Sequence, residues 1–417
     1  MENKAESELR EIHACDVCGS ETLVSVLDLG LHPICDDLVL LGDARTCREF
    51  PIEILFCSNC STAHQRFQVP KEDLFPASYH YRSRFTADVL SGMASLVDSC
   101  EQRFGNLAGK KVLDVGCNDG SLLDCFGRKG AITIGLEPSD AARDAQQKGH
   151  PVYQQYLSES VADAIASAHG KPDFITFTNV FAHIEKLHNV INSLQRLIAD
   201  QTVIVIENHY LGAVLDGNQF DTFYHEHCRT YSYASFRHVA RSLGMAILAV
   251  EFPSRYGGNI RVFLGNAVER KDSDTDEAKV DTQEKQFLKR FGKLRENVGV
   301  WREAKAPFLR AQVRQFGKLR AKAFPARAAI VIKLLGLDER LIDAVYEKPG
   351  SLKIAHYVPG TRIPICSDEE LFALADRTRP LLNLAWHIPR EIRNYLTEHG
   401  YNGPVIDVLG PEDFREG

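Results

Sequence analysis

The strongest constraint on the fold is an alternation that begins at Lys111. The short apolar runs "KVLDVGC", "AITIGLE", "DFITFTNV" and "QTVIVIENH" are spaced by stretches of helical character such as "SLLDCFGRKG". Runs that are apolar at nearly every position belong to strands covered on both faces, so their alternation with helices predicts α/β architecture with a parallel sheet. A helix is expected ahead of it in "RFTADVLSGMASLVDSCEQRFG", where apolar residues recur at three- and four-residue steps. Glu269 to Gln286 is almost wholly polar and reads as a solvated loop or helix start at a domain boundary. An amphipathic helix in "FLKRFGKLRENVGVWREAKAPFLRAQVRQFG" and renewed alternation in "ARAAIVIKLLG", "LIDAVYEK", "LLNLAWHIP" and "GPVIDVLG" then predict a second, smaller α/β domain. With 417 residues the chain has room for two or three cores, expected at residues 1–70, 71–285 and 286–417.

The first of these segments has its own signature. Cys15 and Cys18 stand in "CDVCG", Cys57 and Cys60 in "CSNC". Each C-x-x-C pair sets two thiolates on one tight turn, and four thiolates complete a tetrahedral zinc site with no position left for catalysis. A redox motif needs one pair, not two. His13, His32 and His64 are the substitute ligands within reach in sequence, and the other seven of the eleven cysteines read as buried small apolar residues. Around the pairs, "TLVSVLDLG", "FPIEILFC" and "TAHQRFQV" predict short strands.

Composition excludes several partner classes. A net charge of -7 argues against a general nucleic-acid surface. No run of about eighteen apolar residues is present to span a bilayer. The start, "MENKAESELREIHAC", has no apolar segment behind a basic cluster, so the expected address is the cytoplasm, with small-molecule partners.

The turn in "VLDVGCNDGSLL" places Asp114 at a strand end, Gly116 at a sharp bend, Asn118 within the turn and Gly120 before a helix. This is neither the dinucleotide G-x-G-x-x-G nor the triphosphate-binding G-x-x-x-x-G-K-[ST]. About twenty residues on, Glu137 ends the next strand, where a carboxylate can accept both hydroxyls of a ribose. Together the features resemble the class I S-adenosylmethionine-dependent methyltransferases. That resemblance implies Asp114, Gly116, Asn118, Gly120, Glu137 and Asn179 as cofactor contacts. The bland alternative is an ordinary strand-turn-helix with a solvated acid.

The whole chain is similar to the sugar carbon-methyltransferases that act on nucleotide-linked 4-keto-deoxysugars. The two C-x-x-C pairs, "LFPASYHYRS", "VLDVGCNDG", "NVFAHI", "QFDTFYHEH", "YGGNIRV", "YVPGTRIPI" and "LLNLAW" carry the likeness along nearly its full length. The resemblance implies a zinc module, a central class I methyltransferase domain with a Rossmann-like sheet, and a carboxy-terminal Rossmann-like α/β domain. It implies S-adenosylmethionine and structural zinc as cofactors, and a nucleotide-linked keto sugar as partner. The histidine ending Y-H-E-H is the favoured base of that family, which places the role on His227, beside Tyr224 and Glu226.

Elementary chemistry agrees with that assignment. Carbon methylation needs a carbanion equivalent, and an imidazole can take a proton next to a ketone while a phenol or imidazolium stabilises the enolate oxygen, with Glu226 positioning a hydroxyl or ring. Tyr79 or Tyr81 would hold the sugar or stabilise the enolate. His183, His225, Asn259 and Arg261 are candidate substrate contacts, although His183 also fits as a satisfied structural histidine and "YGGNIRV" as a glycine bulge before a strand. A metal held by His225 and His227, and an uneventful loop, are the other readings of "YHEH". Two other functions remain open: an oxygen- or nitrogen-methyltransferase with the same cofactor domain, and a non-catalytic binding protein. The chain departs from the family at "KAFPARAAI", where relatives commonly carry a glycine-bearing turn, and at "YEKPGSLKIAHYVPG", which lacks the usual acidic start.

Overall fold

The computed structural model describes residues 9–76, 79, 81–266 and 276–414. At its centre lies a seven-stranded sheet in the spatial order Ala246–Glu251, Asn259–Gly265, Val203–His209, Phe174–Thr178, Lys111–Val115, Ile132–Leu136 and Val152–Tyr153. Asn259–Gly265 runs antiparallel to both neighbours, and the other pairings are parallel. Both faces are covered, as the continuous apolar runs require. Leu113, Ile134, Ile175 and Ile204 face one cluster, while Val112, Phe174, Val203 and Val205 face the other with the helix Ala87–Phe104. Each such side chain stabilises the fold by roughly 1.5–3 kcal/mol when fully buried.

The chain leaves Lys111–Val115 toward Ile132–Leu136 on one side, while Phe174–Thr178 pairs on the other. A crevice opens where two such connections part, at the carboxyl ends of the strands. Gly116 makes the turn there: its φ is +75°, and a Cβ would stand 2.5 Å from Val180 Cγ2.

The amino-terminal module is a four-stranded antiparallel sheet, ordered Arg229–Thr230, Thr62–Gln65, Glu49–Cys57 and Leu23–Pro33. Its edge strand, Arg229–Thr230, directly follows "QFDTFYHEHC" from the middle of the chain. Val39–Leu40 pairs in turn with His356–Tyr357 from the carboxy-terminal third. Strand pairing therefore crosses both expected boundaries, at residues 70 and 285.

The carboxy-terminal sheet has five parallel strands, ordered Ile365–Ser367, Ile342–Glu347, Leu319–Lys322, Leu381–Asn383 and Val405–Asp407. The 30-residue helix Phe287–Phe316 precedes it. "ARAAIVIKLLG" supplies the helix Ala328–Leu335, closed by Gly336 at φ +61°. Of the polar stretch, residues 277–284 form a helix, and 269–275 lie outside the described residues. Among the described residues no helix is long and apolar enough to cross a membrane.

Candidate active site

The four predicted cysteines meet. Their sulfur atoms lie within 4.8 Å of one another, with Cys15 and Cys60 at 3.4 Å and Cys18 and Cys57 at 3.6 Å. A tetrahedron of thiolates at about 2.3 Å from zinc has edges of about 3.8 Å, so the donor set fits that ion. None of the three histidines completes the set. His64 Nε2 lies 3.2 Å from Cys15 Sγ, a hydrogen-bonding partner of the thiol, while His32 Nε2 donates to the Leu29 carbonyl at 2.9 Å and His13 is exposed. The buried Arg229 pairs with Asp16, between the first two cysteines, and so ties the cluster to the chain after "YHEH".

A cavity of ≈ 660 Å³ lies at the crevice. One wall is the turn after Lys111–Val115. Glu137 accepts from the Asn118 backbone N–H at 3.0 Å and from the Ser139 N–H at 2.9 Å, which fixes the carboxylate and leaves lone pairs for a diol. Asp114 accepts from Thr176 Oγ1 at 2.7 Å; burial pushes its carboxyl up to about 7, against the pull of that hydrogen bond. Asn179 sits at φ +55°, and its Oδ1 is buried without a partner among the described residues. An orphaned acceptor, a fixed carboxylate and a glycine turn that excludes side chains together fit a nucleoside-bearing cofactor such as S-adenosylmethionine. Asn118 also holds the segment that carries the tyrosines, donating to the Tyr81 carbonyl at 3.1 Å and accepting from the Ser83 N–H at 3.0 Å.

The opposite wall carries acid–base groups. His227 Nδ1 lies 2.8 Å from the Thr222 carbonyl, which can only accept, so the proton sits on Nδ1 and Nε2 keeps its lone pair. Burial holds this histidine down at about 4, with the Arg327 cation adding to the effect, so it is neutral near pH 7. The rings of Tyr224, His183 and His209 surround it at 4.3, 5.2 and 5.3 Å between centroids. Glu226 Oε2 accepts from the Tyr79 hydroxyl at 3.0 Å, and its Oε1 is buried without a partner among the described residues. Burial, reinforced by Asp36, pushes the Glu226 carboxyl up to about 8. The same burial keeps Tyr79 and Tyr224 far above the usual phenol range, so both are hydrogen-bond donors.

The carboxy-terminal sheet closes the third side. Lys322 and Lys348, at strand ends, and Arg327, Lys353 and His387, from the connections that follow strands, line the cavity. Arg327 belongs to "KAFPARAAI" and Lys353 to "YEKPGSLKIAHYVPG".

Four expected residues stand elsewhere. His225 turns away from the cavity and lies 3.1 Å from the Phe50 carbonyl through Nε2, because residues 225 and 226 form a turn instead of an extended segment. The metal reading of "HEH" fails on that divergence, and among the described residues the cysteines are the one metal-competent cluster. Asn259 and Arg261 donate to Glu207, at 3.0 and 2.6 Å, Arg261 also to Glu251 at 2.7 Å, and neither lines the cavity. Gly120, at φ +76°, leaves room for Ala145 and His150, which a Cβ would meet at 2.9 and 3.2 Å, and does not line the cavity. Residues that the sequence reading passed over include His209 and Arg327. His209 closes the strand Val203–His209, and a titratable residue at the carboxyl end of a parallel strand was a signal for it.

Three family models match in succession: a zinc binding domain at residues 15–75, a methyltransferase domain at 81–250 and a C-methyltransferase C-terminal domain at 254–405. The chain is 28% identical over 416 residues to C-methyltransferase NovU of Streptomyces niveus, covering 97% of each. It is 34% identical over 102 residues to a ubiquinone biosynthesis O-methyltransferase of Escherichia coli, 23% of this chain and 42% of that protein. Among solved structures, magnesium protoporphyrin IX methyltransferase from Synechocystis PCC 6803 with bound SAM aligns at a TM-score of 0.33 and 19% identity, over 43% of this chain and 80% of that one. The cysteine cluster, the crevice and three matched domains in succession identify the protein as an S-adenosylmethionine-dependent C-methyltransferase built of a zinc-binding domain, a methyltransferase domain and a C-methyltransferase C-terminal domain.

Proposed function

We propose that the protein adds a methyl group to carbon 3 of a nucleotide-linked 4-keto-6-deoxysugar, with His227 as the base. The carrying observation is the fixed tautomer of His227: a buried, neutral imidazole whose Nδ1–H is held by a carbonyl and whose Nε2 is left to accept a proton. An oxygen-methyltransferase needs no carbon base, and a non-catalytic protein needs none at all. When bound, S-adenosylmethionine supplies an electrophilic methyl group; Asp114, Gly116, Asn118, Glu137 and Asn179 would hold it.

His227 Nε2 takes the proton from carbon 3, and the electron pair moves toward the ketone oxygen as an enolate. Tyr224 and Glu226 carry the protons that stabilise this oxygen, because burial keeps both in the donor form near pH 7, while Tyr79 donates its own proton to Glu226 Oε2 and leaves the acid's proton on the other oxygen, free for the enolate. The enolate and the imidazolium form together as a charge pair, which offsets the weak basicity that burial imposes on His227. Tyr81 and His183 shape the sugar pocket. Lys348 at the third wall supports a substrate that carries phosphates, such as a nucleoside diphosphate sugar, whereas Lys353 is held by Asp36 at 3.4 Å and the Phe324 carbonyl at 3.0 Å. The reaction suits the cytoplasm, where zinc-binding thiolates stay reduced.

Incubation of a panel of nucleotide-linked 4-keto-6-deoxysugars with S-adenosylmethionine, followed by mass spectrometry and proton NMR, tests the proposal. One added methyl on carbon 3 of a panel member is the expected product. Methyl transfer to a hydroxyl or amine, or to no sugar, contradicts it.

A further inference from the structure

We infer that Arg327 and Trp386, from the carboxy-terminal region, are positioning residues for His227: they clamp Asp221 and Thr222 and so hold the carbonyl that fixes its tautomer. The inference rests on the reading of His227 as the base.

His227 depends on an irregular stretch of chain. The Thr222 carbonyl that binds its Nδ1–H ends the short turn Phe220–Thr222, which has no strand or long helix to hold it. Side chains from a distant part of the sequence do so instead. Arg327 donates to both oxygens of Asp221, at 2.6 and 2.8 Å, and to Thr222 Oγ1 at 2.9 Å. Trp386 Nε1–H donates to Asp221 Oδ2 at 2.7 Å, and the Arg327 guanidinium stands 4.9 Å from the centre of the Trp386 ring. Asp221 and Thr222 are 0% and 1% exposed, and Arg327 is 7%. A two-pronged guanidinium–carboxylate pair of this kind fixes orientation as well as position, which a lysine ammonium cannot reproduce.

The chain of contacts therefore runs from Arg327 and Trp386 through Asp221 and Thr222 to His227 Nδ1. Arg327 immediately precedes the helix Ala328–Leu335, and the turn before it lines the cavity. The absence of glycine in "KAFPARAAI" thus accompanies a residue with a task of its own. The seating of the carboxy-terminal region is transmitted to the base, so the imidazole is aligned only when that region is in place. Beside Arg327, the rings of Tyr224, His183 and His209 pack against His227, while its Nδ1 lies against the Thr222 carbonyl.

The test uses the full-length protein with Arg327→Lys, which keeps the charge and loses the fork. Trp386→Phe keeps a ring and loses the N–H, and Thr222→Val keeps the carbonyl and loses the hydroxyl. Nitrogen-15 NMR of the histidine side chains, assigned with His227→Gln, reads the tautomer without any substrate. Wild type should show His227 protonated on Nδ1 alone, and Arg327→Lys a mixture of the two tautomers. On turnover, kcat should fall about 10- to 100-fold in Arg327→Lys and about 3- to 10-fold in Trp386→Phe, with both KM values within about threefold of wild type. A folded Arg327→Lys protein with unchanged tautomer and kcat overturns the inference. So does a loss confined to KM for the nucleotide substrate, which would make Arg327 a substrate ligand. Should Arg327→Lys fail to fold, the same two readings on Trp386→Phe and Thr222→Val decide. A shifted tautomer in a protein that methylates no sugar would uphold the clamp and remove the proposed reaction.

Discussion

The cysteine cluster and the histidine cluster are both built from side chains able to bind a metal, and use them in opposite ways. In the first, four sulfurs converge within 4.8 Å and satisfy one another's geometry around a single point. In the second, His225 and His227 diverge: one is spent on Phe50, and the other is anchored through Nδ1 with Nε2 left over. A closed donor set stabilises a fold, whereas an unsatisfied nitrogen in a cavity does chemistry. The two are mechanically joined. Arg229–Thr230 pairs with Thr62–Gln65, the Gln65 N–H donates to the Cys228 carbonyl at 3.0 Å, and Gln65 Nε2 donates to the Tyr224 carbonyl at 3.2 Å. The metal module therefore serves as the bracket on which the reactive segment is mounted.

Breaking the closed site should have the largest effect. Structural zinc contributes about 10–16 kcal/mol of apparent binding energy in small zinc-dependent folds. Cys57→Ser or strong chelation should abolish metal content, melt the module and remove activity with it, as followed by metal analysis and thermal unfolding. Retained stability without metal would separate the bracket from the site. Next in size, His227→Ala should lower kcat by about 10²- to 10⁴-fold, the usual contribution of a general base, while leaving zinc content and melting temperature close to wild type.

The pH profile sharpens the contrast further. On the proposed mechanism His227 acts unprotonated, so activity should fall as pH drops through about 4, and Glu226 acts as a proton donor, so activity should fall as pH rises through about 8. Glu226→Gln, which still offers donors, should lose the upper limb in a pH–rate series. An upper limb that persists in the variant would remove Glu226 from the donor role. The smallest effect belongs to His225→Ala. It leaves the Phe50 carbonyl unpaired at about 1–3 kcal/mol of stability and should change kcat by less than about threefold. A large loss of kcat there would restore His225 to the site.

Legibility in the sequence followed the range of the interactions involved. The apolar runs of Lys111–Val115 and Val203–His209 announced a sheet covered on both faces, and C-x-x-C spacing announced a converging site because each pair is local. His225 was misread because the direction of an i, i+2 pair depends on a turn that the residue types of "YHEH" do not reveal. Arg261 has the look of a substrate ligand, yet Glu207 and Glu251 on adjacent strands claim it first. Arg327 was out of reach altogether. Its partners lie more than one hundred residues earlier, and nothing local to "KAFPARAAI" indicates that its arginine crosses to another region.

The central claim is that His227 removes the proton from carbon 3. It is tested most directly by following exchange of that proton in deuterated buffer by proton NMR, with S-adenosylhomocysteine in place of the methyl donor. Wild-type protein should wash deuterium into carbon 3 of its nucleotide-linked keto sugar, and folded His227→Ala should fail to do so. Exchange by the variant at the wild-type rate would contradict the claim and assign the proton to another base.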